Sequence, residues 1–422
     1  MAGPAIRSVE LARALAREHE VTVVTPQPSD LEHTTFETGW YTSERDLLRM
    51  VNRCDVVITV GSFLEQHSAI ARTDKVIVAD LYDPVMFEAL VMHAADPMDW
   101  QVRVHRGALR GQRLQLERAD LFLCASERQR HLVLGMLTAA GRINPSTYGA
   151  DPTLRDLVRI VPFGLPAPPP PIHRPGPLRK RLGLAADDLV VLWGGGIYEW
   201  LDPLSLIEAL AGIGTDRIKA FFIGTAHPTP EVPAMPIAAQ AHARARELGV
   251  LDRTVFFGDG WIPYDERAGY LLDADVGVSL HRDHIETTFA FRTRMLDYIW
   301  AGLPILCSDG DAFADLVRKR QIGEVVPIGD VPAIRSALLR LMEAPYRDRL
   351  HRPLRDVATE LRWDTVVAPV MEFCRSPARA PDQLAPYRKL RRRVEIGERV
   401  HGLLARLVPS SGSRKLGQAR ET

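Results

Sequence analysis

Between Asp275 and Asp309 the chain reads DVGVSLHRDHIETTFAFRTRMLDYIWAGLPILCSD, and this stretch narrows the folds open to the rest. The apolar run Val276 to Leu280 has the length and composition of a buried strand. A loop dense in His, Asp and Glu follows. Next comes a helical pattern with Arg292 and Arg294 in its first turns and Met295, Leu296, Ile299 and Trp300 on one apolar face. Ala301-Gly302-Leu303-Pro304 stops that helix and opens the next apolar strand, Ile305 to Cys307. Strand, loop, helix and strand make one unit of an open parallel sheet, whose ligands bind outside the carboxyl ends of the strands. The charged residues of this stretch fall at that end.

The same plan recurs along the chain. Val21 to Thr25, Val56 to Val60, Lys75 to Ala79 and Leu121 to Ala125 read as buried strands separated by amphipathic helices. A second series follows: Leu189 to Trp193 ending on Gly194-Gly195-Gly196, Lys219 to Ile223 on Gly224, and Val255 to Phe257 on Gly258, with Glu324 to Ile328 at an edge. Pro166 to Pro177, with four consecutive prolines at Pro168 to Pro171, separates the two series as a semi-rigid linker. The expectation is α/β, two Rossmann-like doubly wound domains facing across a cleft. The expected boundaries are 1–165, a linker at 166–178, 179–376 with a long closing helix through Trp363, Val366, Val370 and Phe373, and a basic tail at 377–422. Gly3 and Pro4 open a helix that feeds the strand at Val21, an arrangement that normally follows an earlier strand. The first strand of the N-terminal domain is therefore expected to be missing.

A chain of 422 residues accommodates two such domains, and its 53 basic residues balance its 53 acidic ones. That balance leaves no electrostatic footprint for nucleic acid. Cys54, Cys124, Cys307 and Cys374 lack ligand spacing and fit a reducing compartment. With no signal peptide and no apolar run of spanning length, the expected location is cytoplasmic. From Ala385 to Thr422 ten Lys or Arg face three Glu, with Leu390, Val394, Val400 and Leu403 interspersed. Such a stretch suits the anionic inner face of a membrane; a solvated tail is the alternative reading.

These residues, taken together, resemble retaining glycosyltransferases of the two-domain GT-B type, in the large family-four group. Gly3-Pro4-Ala5-Ile6-Arg7 with Glu10-Leu11-Ala12 is similar to that group's first glycine loop and helix. Glu20 to Thr25 is similar to its second strand, and Val161-Pro162-Phe163-Gly164 to the end of its first domain. Trp193 to Gly196, Gly258 to Pro263 and Ala301-Gly302-Leu303-Pro304 match pieces of its second domain. The likeness covers residues 1 to about 376. Two departures stand out. The second of the family's paired glutamates is Asp297 here, and the nearest preceding one, Glu286, lies further upstream. The Arg and Lys expected after the first strand of the second domain are absent; Gly194 to Asp202 holds neither.

The resemblance implies transfer of a sugar from a nucleotide-diphosphate sugar to a glycan or lipid-linked saccharide, with retention of configuration and without a metal. The leaving diphosphate needs cations and backbone amides. Arg292 and Arg294 are the expected clamp, beside Thr287 and the amides of Thr288 and Phe289. Gly194, Gly195 and Gly196 let the backbone approach the phosphates. Asp297 is expected on the ribose, Trp261 and Ile262 on the nucleobase, and Glu286 on the transferred sugar. Gly3, Pro4 and Arg7 face the cleft from the other domain, where Asp80 and Asp83 are candidates for acceptor hydroxyls. Asp83-Pro84 also has the form of a helix start.

The same residues admit rival readings. His281-Arg282-Asp283-His284 lacks the Asn and the glycine loop of a kinase. A zinc site from His281, His284 and Glu286 is chemically feasible. Asp309-Gly310-Asp311 has an Asp-x-Asp spacing, with Asp309 read instead as a helix cap. An epimerase or hydrolase on the same scaffold needs a base or nucleophile, and no Ser-His-Asp signature is present. An inactive nucleotide-binding remnant lacking its first strand is the third alternative.

Overall fold

The computed structural model describes residues 3–29, 31, 35–169, 175–224, 235–258, 260, 262, 266–394 and 396. Trp261, the middle of the proline-rich linker and most of the basic tail lie outside the described residues.

Among the described residues every pair of strands is parallel. In the first half β1 (Thr22–Thr25) pairs with β2 (Glu37–Trp40), while β3 (Val56–Val60), β4 (Val76–Asp80), β5 (Leu121–Cys124) and β6 (Val158–Ile160) form a separate ladder in that order. The first described element is the helix Gly3–Leu15, and this half of the molecule carries its sheet as those two pieces. In the second half the order is β12-β11-β10-β7-β8-β9, with β7 at Leu189–Trp193, β8 at Ile218–Phe222, β9 at Val255–Phe257, β10 at Val276–Ser279, β11 at Ile305–Ser308 and β12 at Gly323–Val326. Strand order reverses between β7 and β10. A crevice forms at such a switch point because the connections leave the two strands toward opposite faces.

Most strands coincide with apolar runs in the sequence, because a strand covered on both faces needs apolar side chains throughout. β4, β5, β7, β10 and β11 are buried at every position. Glu37–Trp40 escaped sequence reading for the opposite reason: it is a polar ETGW segment, mostly exposed and held by the backbone ladder to β1.

One side chain locks the switch point. Tyr298, on the helix Thr293–Ala301, is fully buried; its hydroxyl donates to the Val278 carbonyl at 2.7 Å and accepts from the Gly194 amide at 2.7 Å. A Cβ on Gly277 would stand 2.2 Å from the Tyr298 ring, so glycine there is a packing requirement. The helix ends on Gly302 at φ +71°, the left-handed cap expected of the Ala-Gly-Leu-Pro turn. Trp300, expected on the apolar face, packs partly buried against the core and also donates its indole N–H to the Ala167 carbonyl at 2.8 Å.

The C-terminal segment departs from expectation. The expected long helix is two, Trp363–Val366 and Ala368–Arg375, because Pro369 has no N–H to continue the ladder. They carry the chain back to the first half, where the Leu165 amide bonds the Leu361 carbonyl at 2.7 Å and Arg159 donates to the Pro369 carbonyl at 2.6 Å. Residues 379–383, read from sequence as the start of the tail, dock there as a strap. Asp382 is buried and takes two bonds from Arg142, at 2.6 and 3.1 Å, and the Ala380 amide bonds Asp120 at 3.0 Å.

Candidate functional site

A cavity of about 230 Å³ opens between the two halves at the carboxyl ends of β7 and β8. The glycines after β7 form one wall, and each is there for a steric reason. A Cβ on Gly194 would meet Tyr298 at 3.0 Å, one on Gly196 would meet the Tyr198 ring at 3.0 Å, and Gly195 has φ +87°. Thr293, Arg294 and Asp297 supply the second wall from the first two turns of their helix. Ile6 and Glu10 of the first helix, with Phe163 and Trp363, close it from the other domain.

Arg267 lines the cavity, where it pairs with Asp297. The cation set against the glycine wall is Arg294. Its guanidinium lies over the Trp193 ring at 5.3 Å and donates one nitrogen to the Gly196 carbonyl at 2.7 Å, while its Nη1 is buried without a hydrogen-bond partner. Burial pushes its pKa below the ordinary arginine value. Asp297 faces the same space, paired with Arg267 at 2.9 Å, and burial raises its pKa against the opposing pull of Arg267 and Arg294.

Arg292 behaves differently. Its two terminal nitrogens go to Glu286 at 2.9 and 2.6 Å, and Thr287 accepts a further bond at 3.2 Å. Glu286 is fully buried and Arg292 nearly so, and neither lines the cavity. The expected two-arginine clamp is thus divided: Arg294 stands at the cavity and Arg292 holds a carboxylate. Thr288 and Phe289 lie in the short helix Ile285–Phe289, also away from the cavity. Phe289 bridges the halves, its ring stacked on Phe87 at 5.6 Å and its carbonyl accepting from Gln129 at 2.8 Å. Ile262 lines the cavity.

On the opposite domain, Arg7 and Asp80 form a buried bidentate pair at 2.6 and 3.0 Å, and Arg7 also donates to the Val161 carbonyl at 2.9 Å. Both side chains have no exposed surface, so this pair ties the first helix to β4 and β6 instead of presenting groups to the cleft. Pro4 is exposed at the start of that helix, which begins at Gly3. Asp83 does not cap the helix Val85–Met92: the N-cap position is Pro84, with no side-chain cap bond. Its carboxyl is instead pushed up to about 6, first by burial and, against the pull of a Tyr82 hydrogen bond, by Asp80 and Glu286.

Glu88 was not singled out from the sequence, although it is the single charge in the helix VMFEALVM. Burial, then Asp83 and Glu286, push its pKa up to about 8, with Arg292 opposing. Asp83, Glu88 and the Glu286–Arg292 pair therefore form one electrostatic cluster where the two domains meet. A carboxyl whose folded-state pKa is raised binds its proton more tightly folded than unfolded. Stability therefore falls as pH rises from the ordinary glutamate range through about 8. Glu88→Gln is expected to stabilise the protein at pH 8.5 by on the order of 1–3 kcal/mol and to make no difference at pH 4. Thermal melts of both proteins at the two pH values check this; equal melting at pH 8.5 would show that Glu88 is well solvated.

The loop candidates for metal binding do not converge. His284 caps the Glu286 amide at 3.0 Å, while His281 is turned to the Arg282 carbonyl at 3.3 Å, with burial holding its pKa down at about 4. Among the described residues no group of three or more His, Cys, Asp or Glu is arranged to hold a metal. Asp311, not Asp309, caps the helix Ala312–Arg320, accepting from the Ala314 amide at 2.7 Å. Asp309 pairs with Arg318 at 2.7 Å.

No family model matches the chain. Over 252 residues it is 27% identical to D-inositol 3-phosphate glycosyltransferase of Acidothermus cellulolyticus, a match covering 58% of this chain and 53% of that protein. The chain thus spans about half the length of that curated relative. Sucrose-phosphate synthase from Thermosynechococcus elongatus superposes with a TM-score of 0.67 at 18% identity, covering 89% of this chain and 93% of the synthase. HepE of Anabaena, solved with UDP and glucose, gives 0.66 at 15% identity, covering 89% and 96%. Parallel, Rossmann-like sheets in both halves, the second with a glycine-lined switch point, shared along nearly the whole length of these proteins, give the chain the GT-B fold of glycosyltransferases, the type its sequence resembles.

Proposed function

We propose that the chain is a glycosyltransferase that binds a nucleotide-diphosphate sugar in the cavity beside β7 and moves the sugar to a hydroxyl of a glycan or lipid-linked acceptor. The observation that carries this reading is Arg294: a buried guanidinium with one free nitrogen, set against Gly194–Gly196 at the switch point. A diphosphate supplies the missing acceptor atoms, and the glycines allow it to approach the backbone. Asp297, placed on the same helix one turn further on, suits the ribose hydroxyls. Ile262 suits the base.

In this reading the bond from the anomeric carbon to the diphosphate oxygen breaks, and its electron pair stays on the phosphate that Arg294 stabilises. The acceptor oxygen attacks from the same face, and its proton passes to the departing phosphate oxygen. Configuration is retained and no metal is required. In this reading Asp83 and Glu88 belong to the acceptor side, with the buried Glu286–Arg292 pair beside them in the same electrostatic cluster. No helix among the described residues is long and apolar enough to cross a membrane. The reading places the protein in the cytoplasm, with its basic C-terminal tail at the inner membrane face.

Thermal shift against UDP, GDP, dTDP and ADP, each with and without manganese, tests the donor site. UDP is the first choice because HepE was solved with it. Stabilisation by one diphosphate, unchanged by chelator and worth about 2.7 kcal/mol at a hundredfold excess over Kd, is expected. No shift with any of the four in a folded sample would overturn the reading. An inactive nucleotide-binding remnant is the second reading, favoured by how completely Arg292 occupies Glu286. Binding without either sugar transfer or donor hydrolysis would select it.

A further inference from the structure

The surface around the acceptor side of the cleft is unusual for a soluble domain. The helix Val85–Met92 has seven apolar residues out of eight, yet none of them is buried. It packs against the helix Met98–Arg118, and the two present Val85, Leu90, Met98, Trp100 and Val102 to solvent, Met98 with 69% of its surface exposed. Ile285, on the short helix that meets Val85–Met92 across the cleft, is exposed as well. Exposed apolar side chains scattered singly are ordinary, but six on three successively packed helices where the two halves meet mark an interaction site.

Charge says what the rim meets. Beyond Val102 the outer face of the helix Met98–Arg118 carries Arg103, Arg106, Arg110 and Arg113, all exposed and at three- to four-residue spacing, so that they form one stripe. Asp99 and Glu117 are the only acids on that helix; Asp99 takes Arg103, and Arg110 reaches Glu65 at 3.5 Å. The stripe therefore stays net positive. The C-terminal strap docks at the far end of this helix, where Gln383 donates to the Glu117 carbonyl at 2.6 Å. From there the chain continues into a helical segment with Arg388, Lys389, Arg391, Arg392 and Arg393 and with exposed Leu390 and Val394. Part of the apolar rim and the whole arginine stripe thus share the helix Met98–Arg118, and the strap that leads into the basic helix docks at its far end.

We infer that the Val85–Met92 and Met98–Arg118 helices form a docking surface for an anionic lipid bilayer. Met98, Trp100 and Val102 enter the headgroup layer and the arginine stripe lies on the phosphates, so that the mouth of the cleft faces the membrane. An amphipathic surface binds in this way by combining apolar insertion with attraction to anionic lipid. The inference concerns a binding surface and stands whether or not the transfer reaction is the one proposed above.

Co-sedimentation of the full chain with vesicles of phosphatidylglycerol and phosphatidylcholine, against pure phosphatidylcholine, tests it without donor or acceptor. Binding to the anionic vesicles is expected, weakening as salt is raised. It should fall at least about tenfold in Met98→Ser/Trp100→Ser/Val102→Ser and in Arg103→Gln/Arg106→Gln/Arg110→Gln/Arg113→Gln. These substitutions sit on exposed positions, and unchanged thermal melts confirm that both variants fold. Arg391→Gln/Arg392→Gln/Arg393→Gln is expected to keep most of the binding. No binding by the parent chain, or loss confined to the last variant, overturns the inference. So does a dimer in light scattering that the Met98/Trp100/Val102 variant dissociates, since the rim would then be covered by a second copy.

Discussion

Arg294→Ala is expected to abolish stabilisation by nucleoside diphosphate and to lower turnover by about 10²–10³, the range seen when one preorganised donor to a developing oxyanion is removed. The expectation follows from where the charge sits. Arg294 is enclosed by Trp193, Tyr198 and the glycine wall, so little water screens it and its attraction for a phosphate is larger than that of a surface arginine. The same burial separates this result from simple unfolding. In the empty protein the guanidinium has an unsatisfied nitrogen, and truncating it removes a desolvated charge along with one bond to Gly196. The melting temperature without ligand should therefore change little. Arg294→Lys keeps the charge but loses the planar fork, and intermediate binding is expected. Isothermal titration with the stabilising diphosphate, beside initial rates, gives both quantities. Full diphosphate affinity in the alanine variant would remove Arg294 from the donor site.

Arg292→Met is expected to act on stability first, costing about 3–5 kcal/mol in urea unfolding at neutral pH. The substitution leaves the fully buried Glu286 carboxylate without its two short bonds, in the company of Asp83 and Glu88. Three carboxyls then share a region that has lost one cation, and the remaining one, Arg7, is already paired with Asp80. The loss should be smaller at pH 5, where protonation relieves the repulsion. The double variant Arg292→Met/Glu286→Leu is expected to recover most of the stability, because replacing both members of a buried pair leaves no orphaned charge. An unchanged unfolding midpoint in the single variant would mean that the pair is open in solution. Arg292 would then be available to a phosphate, the role expected from its place in the sequence.

The particular residues show what a linear reading reaches. Buried parallel strands were legible because each is a continuous apolar run ending on glycine or a polar residue. The stop at Gly302 was legible because its left-handed backbone has a residue signature. The polar β2 strand was not, since backbone pairing alone makes it a strand. Glu88 carries no sequence motif; its significance comes from Asp83 and Glu286, five and 198 positions away in the chain. Arg292 and Arg294 look interchangeable on paper. Only the folded backbone aims one at Glu286 and the other at the Gly196 carbonyl.

Apolar periodicity, glycine placement and the proline-rich break determined from sequence alone that this chain forms parallel α/β sheets in two halves, with a glycine-lined edge after β7. Those features are local, and local backbone preferences and burial patterns are written residue by residue. The partners of the charged groups were decided only in three dimensions: Arg7 with Asp80, Arg142 with Asp382, Arg292 with Glu286, and Arg294 left open to the cavity. A charge buried in a low-dielectric interior must find an opposite charge or a dipole within a few ångströms, and which one it finds depends on how distant segments are brought together.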